Sequence, residues 1–195
     1  MITGLFPVAE RGAVLRLVER SVIFVTEANI GQVLMSQRWD HTAWALANLH
    51  LETLGATLLG SGAQAIVGLS EETTCYVSPL YFSDPDPLSD FLVHEVAHIF
   101  HNSKRITAGL VETRRREWLL DIAFGKRETF AYACEYYAWI LEHAANARHR
   151  RSLAAGLARD KLPGDTRVDP AEVADIVSEA ATSRAGWKLI LRRCG

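Results

Sequence analysis

The residues best suited to chemistry are two histidines, His94 and His98, which stand four positions apart in an otherwise apolar run. On a helix this spacing is about one turn, so both imidazoles project from the same face. Two neutral imidazoles can then occupy two corners of a tetrahedral zinc site. Glu95 follows the first histidine directly and could hold a zinc-bound water and accept its proton. The pattern therefore predicts a hydrolytic zinc site with Glu95 as the general base.

A helix over residues 89–101 must position these side chains. Apart from the three motif residues, positions 91–100 are uncharged, as expected of a helix that holds a metal against an apolar core. Ser89 or Asp90 offers an N-cap for this helix. The alternative interpretation is an amphipathic core helix with two incidental histidines.

The rest of the chain has the pattern of an α+β protein. Turn signals and helical periodicity predict further helices over residues 8–20, 41–58, 127–147, 170–183 and 185–192. Runs rich in β-branched and aromatic residues predict strands over residues 21–26, 63–69 and 74–82. No stretch has the composition of a linker, so we expect a single domain over residues 1–195.

The segment 91–100 resembles the active-site helix of the zincin metallopeptidases, which carries the sequence HExxH. Metzincins continue with a glycine and a third histidine at fixed spacings, and this chain has His101 and Asn102 where that continuation would begin. The motif is therefore similar to that of gluzincins, in which a glutamate on a second, later helix is the third ligand. The resemblance implies a small zincin-like domain: a short mixed β-sheet packed on the HExxH helix and on a second zinc-ligand helix, with extra C-terminal helices.

Two glutamates on the helix predicted over residues 127–147, Glu128 and Glu135, could supply that ligand. They stand seven positions apart with Tyr132 between them, so they share a face and only one can lie level with the zinc. The string ETFA that begins at Glu128 resembles the ligand-bearing stretch of minigluzincins and of anthrax lethal-factor-type peptidases, and ImmA/IrrE-like peptidases have a related helix. The resemblance favours Glu128. Many relatives have an acidic residue at the position of Tyr132, so Glu135, or the Tyr132 hydroxyl, is expected to support a histidine instead.

Catalysis also needs a donor for the negative charge that develops on the substrate oxygen. Candidates are His101, Tyr132, Tyr136 and an arginine of residues 104–117, and the sequence does not choose between them. His101 lies about 10 Å along the helix axis from His94, so it cannot bind the same ion.

Two further segments are expected to line the substrate cleft. Residues 104–118 lie between the two zinc-binding helices and could form a wall or lid. The resemblance also implies an edge strand beside the HExxH helix, where an extended peptide substrate adds by β-pairing. Residues 74–82 are the best candidate for that strand.

Composition and charge argue against several classes of partner. The 195 residues are 49% hydrophobic with a formal net charge of -2, which gives no reason to expect nucleic acid or an anionic membrane. No apolar run approaches the roughly 20 residues that span a bilayer, and the first residues lack a signal-peptide pattern. Cys75, Cys134 and Cys194 have no close spacing, which is typical of reduced thiols. We therefore expect a cytoplasmic protein with a peptide or protein substrate; its oligomeric state is open.

Three functional hypotheses follow. The leading one is a zinc-dependent peptidase that hydrolyses peptide bonds with a zinc-bound water activated by Glu95. The second is a catalytically degenerate zincin-fold protein that acts as a regulatory or protein-interaction module, favoured by the small size and by the missing acidic residue after Glu128. The third, by analogy with ImmA/IrrE-like and lethal-factor-like enzymes, is a peptidase specific for one cellular protein.

Overall fold

A computed structural model describes residues 1–63, 65–83, 90–114, 116–157 and 166–195. Within these residues the chain is α+β, as expected, with nine α-helices and a three-stranded mixed sheet. The helices are α1 (Ile2–Leu5), α2 (Val8–Ser21), α3 (Ile30–Met35), α4 (Asp40–Thr53), α5 (Phe91–Asn102), α6 (Arg127–His143), α7 (Ala147–Ala155), α8 (Pro170–Thr182) and α9 (Gly186–Cys194). The strands are β1 (Val22–Phe24), β2 (Gly68–Glu71) and β3 (Thr74–Val77).

The described residues form two compact units. One unit comprises Met1–Val18 with the described part of Pro87–Gly195, and the other comprises the described part of Glu19–Asp86. In the part of the chain that the structure describes, no helix is both long and apolar enough to cross a membrane.

The small sheet belongs to the second unit. β3 lies in the middle, parallel to β1 and antiparallel to β2. The strand expected over residues 74–82 is therefore not an edge of the described sheet, which corrects the expectation that it would pair with a substrate. It is also shorter than expected, because Pro79 has no N–H to donate to a ladder and residues Pro79–Phe82 form a 3₁₀ turn instead.

Most predicted helices are confirmed near their expected places, but three helices, α1, α3 and α7, were missed. α1 has only four residues and α3 only six, which is too short for a helical period to show. α7 begins where one helix was expected to run on to residue 147. The Asn146 side chain accepts hydrogen bonds from the backbone N–H groups of Arg148 and His149, so it caps a new helix.

The first unit is a helical assembly in which α5 packs against α6, and α6 packs in turn against α8 and α9. Asp90 caps α5 by accepting a hydrogen bond from the Val93 N–H; the other expected cap, Ser89, lies outside the described residues. Phe100 and Phe130 are completely buried. The ring of Phe100 also meets Phe6 edge-on, with the centroids 4.9 Å apart. This apolar contact anchors the C-terminal end of α5.

The described residues of the segment 104–118, which follows α5, are held by a β-bridge and by ion pairs. An isolated antiparallel bridge joins Lys104 to Trp118. The buried Arg105 guanidinium donates to both carboxylate oxygens of Glu10, at 2.8 and 3.3 Å, and Arg116 also pairs with Glu10. The hydrogen bond from Arg105 lowers the pKa of the Glu10 carboxyl group. These contacts attach the described part of the segment to α2, and they pair Arg105 and Arg116, two of the candidate oxyanion donors, with Glu10.

Helices α9 and α6 approach closely at Gly186, which yields a test of the packing. A Cβ at Gly186 would clash with the Tyr137 hydroxyl and lie 2.7 Å from the Ala180 carbonyl oxygen. We expect Gly186→Ala to destabilise the protein by about 1–3 kcal/mol and to lower its Tm by roughly 3–10 °C. Gly125→Ala is the matched control, since no atom lies within 4 Å of the added carbon. Equal Tm values for the two variants would contradict this account.

Candidate metal centre

Two packed helices bring the predicted site residues together. His94 and His98 project from one face of α5, with ring centroids 4.8 Å apart. Glu128 stands in the first turn of α6, and Glu135 follows on the same helix. His94 is 9% exposed and Glu135 only 5%, so each of these two polar side chains needs a partner.

Three donor atoms from these helices converge on one point. The Nε2 atoms of His94 and His98 are 3.1 Å apart. The Oε2 atom of Glu128 lies 3.6 Å from the first and 3.4 Å from the second. A tetrahedral zinc ion with bonds of about 2.0–2.1 Å holds its ligand atoms roughly 3.3–3.4 Å apart. The sides of the observed triangle lie on both sides of that value, so these residues could hold such an ion.

The outer nitrogens of the two imidazoles determine which tautomers face the centre. His94 Nδ1 lies 3.1 Å from Glu135 Oε2; a carboxylate can only accept, so Nδ1 carries the hydrogen. His101 Nδ1 lies 3.1 Å from Asn102 Oδ1, and His101 Nε2 lies 2.9 Å from His98 Nδ1. The simplest assignment from this network makes each Nδ1 a donor. Both Nε2 lone pairs then point at each other across 3.1 Å.

The electrostatics of the cluster favour one positive charge between the rings. Burial lowers the pKa of His94, but the carboxylates of Glu128 and Glu135 outweigh burial and raise it to about 9. Burial and the charge of His94 lower the pKa of His98. The neighbouring His94 ring is the largest cause of the lowered pKa of Glu128. A metal cation could take the place of that single proton.

Glu95 is also buried beside these donors. It follows His94 on α5, so its side chain leaves the helix about 100° further round. One carboxylate oxygen lies within 4.8 Å of the ligand atoms of both histidines. Within the described residues, no hydrogen bond or ion pair engages this carboxylate. It is therefore placed to accept a proton from a small molecule between itself and the imidazoles.

Two tyrosines line the side of the cluster. The ring of Tyr132 packs edge-on against His94, with centroids 4.4 Å apart and planes at 67°. Tyr136 is buried and stacks on Tyr132 at 6.4 Å. Tyr132 therefore holds the imidazole by ring contact, whereas the carboxylate that touches His94 Nδ1 belongs to Glu135.

His101 supports a candidate ligand rather than facing the centre. It is 3% exposed, and burial lowers its pKa to about 3, helped by positive charge at His98 and Arg127. Its Nδ1–H points to Asn102 and its Nε2 accepts from His98. With these tautomers both ring nitrogens of His101 have partners within the protein, and its role as an oxyanion donor stays a prediction.

Sequence reasoning missed one residue of this centre, Arg167. Its Nη1 atom lies 2.8 Å from Oε1 of Glu128, which leaves Oε2 directed at the two imidazoles. The side chain is 67% exposed, and it stands 39 positions after Glu128 with no motif around it. Nothing in the spacing could have identified it.

Comparison of the chain with protein-family models, with curated proteins and with solved structures gave no match.

The proposed zinc ligands can be tested by measuring the zinc affinity of three variants in which a glutamate of α6 is replaced by alanine. We expect about one zinc per wild-type chain and near-complete loss in Glu128→Ala, because that variant removes one of three donors. Glu135→Ala should bind zinc roughly 10–100-fold more weakly, since it removes only the support of His94. Glu142→Ala, at an exposed position of the same helix, is the control.

Zinc content measured by atomic spectrometry, with zinc-induced increases in Tm, would quantify these differences. A Glu128→Ala variant that matches the wild type in both measurements would exclude Glu128 as a ligand. The order of the two glutamates would be reversed if Glu135→Ala lost more zinc than Glu128→Ala.

Proposed function

We propose that this protein is a zinc-dependent peptidase of the gluzincin kind, in which His94, His98 and Glu128 hold the ion and Glu95 is the general base. The observation that carries the proposal is the triangle of donor atoms, with sides of 3.1–3.6 Å. Two imidazole nitrogens and one carboxylate oxygen are a ligand set that catalytic zinc uses. Three protein ligands leave a fourth position for water or substrate.

The ion would act as a Lewis acid that polarises the scissile carbonyl and makes a neighbouring water more acidic. The protein's own part is to fix the ligands and to handle protons. Glu135 and His101 hold the two imidazoles at Nδ1, which keeps Nε2 of each ring free for the metal. Arg167 pairs with the second oxygen of Glu128, so that carboxylate would have one oxygen left to present to the ion.

Glu95 is assigned the transfer of protons. Its carboxylate would take a proton from the water that attacks the carbonyl carbon and would later give it to the nitrogen of the departing amine. The position of that carboxylate, within 4.8 Å of both imidazole donors, supports the assignment. Its lack of an ion-pair or hydrogen-bond partner among the described residues supports it as well.

The proposal includes a zincin-like arrangement of the domain, a peptide or protein as the substrate and a cytoplasmic location. The packing of α5 on α6 supports the first of these. The HExxH string and the absence of strong net charge favour a peptide over a nucleic acid.

Glu95→Gln separates catalysis from metal binding. Under the proposed ligand set Glu95 does not bind the ion, so we expect this variant to keep its zinc and to hydrolyse peptides about 10²–10⁴-fold more slowly. The measurement is turnover of a broad peptide library, followed by mass spectrometry, with zinc content determined on the same samples. In the wild type a chelator should abolish turnover and added zinc should restore it. Glu142→Gln is the control for loss of a carboxylate at an exposed site.

Equal turnover by Glu95→Gln and the wild type would exclude Glu95 as the base. A wild-type protein that binds zinc and cleaves no peptide in the library would contradict a general peptidase. That result would favour a regulatory module, or an enzyme restricted to one protein substrate.

A further inference from the structure

A cavity of about 280 Å³ lies in the first unit, beside the metal centre. It opens between the end of α5, the chain that precedes α6 and the first residue of α6. The residues that matter for its chemistry are His101, Trp118, Leu120, Asp121, Ile122 and Arg127, and the backbone of Gly195, at the end of α9, also lines it. None of the three candidate zinc ligands lines it. The cavity and the metal centre therefore share His101 as a neighbour but have no candidate zinc ligand in common.

Arg127 brings an unsatisfied positive charge to this cavity. Within the described residues its guanidinium has no carboxylate partner, and its contact is with the face of the Phe124 ring, 5.3 Å from the guanidinium carbon. Its Nε atom is buried without a hydrogen-bond acceptor. A buried N–H without an acceptor is costly, and more so when it is charged. The first turn of α6 adds the positive end of a helix dipole. An anionic group in the cavity would satisfy both.

Asp121 brings the opposite charge to the same cavity. Its side chain is exposed, and it forms no ion pair or side-chain hydrogen bond in the described part of the chain. Asp121 and Arg127 thus line one cavity without pairing with each other. The same cavity is also lined by the apolar residues Trp118, Leu120 and Ile122.

We propose that this cavity binds a small zwitterion with an apolar body, namely a free amino acid or a dipeptide. The α-carboxylate binds at Arg127, the α-ammonium group lies toward Asp121, and the side chain packs against Trp118 and its apolar neighbours. The volume is at the lower end of the range for ligand pockets, which suits a ligand of this size. A phosphate-rich ligand would be repelled by Asp121, and a polyamine would be repelled by Arg127. This inference goes beyond the proposed peptidase activity and does not depend on it.

Three probes of the same shape test the proposal on the full-length chain. L-leucine carries both charges, L-leucinamide lacks the carboxylate, and 4-methylpentanoate lacks the ammonium group. Binding at millimolar concentration, measured by calorimetry and ligand-observed NMR, should be at least ~10-fold tighter for leucine than for either analogue. The titrations are repeated in the presence of EDTA, because amino acids also bind zinc. The preference for leucine should survive the chelator.

Two variants assign the charges. Arg127→Gln should bind leucine and leucinamide equally, and Asp121→Asn should bind leucine and 4-methylpentanoate equally. Arg148→Gln and Glu142→Gln remove charges of the same sign at exposed positions and should retain the wild-type preference. Zinc content, measured in parallel, reports whether Arg127→Gln disturbs the neighbouring Glu128. If Arg127→Gln does disturb Glu128, the Asp121→Asn variant still tests the proposal.

The proposal is overturned if the wild type binds none of the probes, or binds all three alike. It is also overturned if both variants keep the wild-type preference, or if EDTA abolishes leucine binding. Loss of peptidase activity in Glu95→Gln, or its absence in the wild type, leaves these outcomes unaffected, so failure of this proposal and of the proposed activity can be told apart.

Discussion

The candidate metal centre depends on one electrostatic constraint, the meeting of two imidazole nitrogens at 3.1 Å. With each ring assigned to donate from Nδ1, to Glu135 or to His101, each ring in its neutral form presents a lone pair at Nε2. Two lone pairs at this distance repel each other, and both rings stand on one helix, α5, that packs against α6. A proton or a metal cation between the rings removes the repulsion. The raised pKa of His94 and the lowered pKa of His98 mean that the pair of rings holds one extra proton, which removes the repulsion when no metal is bound.

The carboxylates around the rings support the divalent ion that we propose for the centre. Glu95, Glu128 and Glu135 bring three negative charges to a largely buried place, and Arg167 brings one positive charge. A single proton leaves an excess of negative charge, whereas a divalent ion together with Arg167 balances it. Burying an excess of charge is expensive. The support of the two histidines is unequal, because His94 has an anionic partner and His98 a neutral imidazole. His94 is therefore the stronger donor of the two.

The sequence predicted those features of the site that depend on local geometry. A spacing of four on a helix suffices to place His94 beside His98, and the apolar flanks of the motif suffice to predict that the helix is buried. Contacts between distant segments could not be predicted from the sequence. Glu128 and Glu135 have equivalent positions on a helical wheel, so their different contacts arise only from the way α5 packs against α6. Arg167 stands alone in the sequence and reaches Glu128 through the tertiary fold. The error over β3 has the same origin, since sheet order is a non-local property, although Pro79 did mark the end of the strand.

His101 links the metal centre to the neighbouring cavity, and this link has a physical consequence. Its ring lines the cavity, while its Nε2 accepts the hydrogen bond that orients His98. A ligand held by Arg127 would lie against this ring and would restrict its movement. If the His101 ring moves less, it is a better-ordered acceptor for the Nδ1–H of His98, and the direction of the His98 Nε2 lone pair is fixed more closely. Since linkage is reciprocal, an ion that orders His98 would also order the wall of the cavity. The two sites therefore share one imidazole, and any ligand that discriminates between positions of that ring couples them.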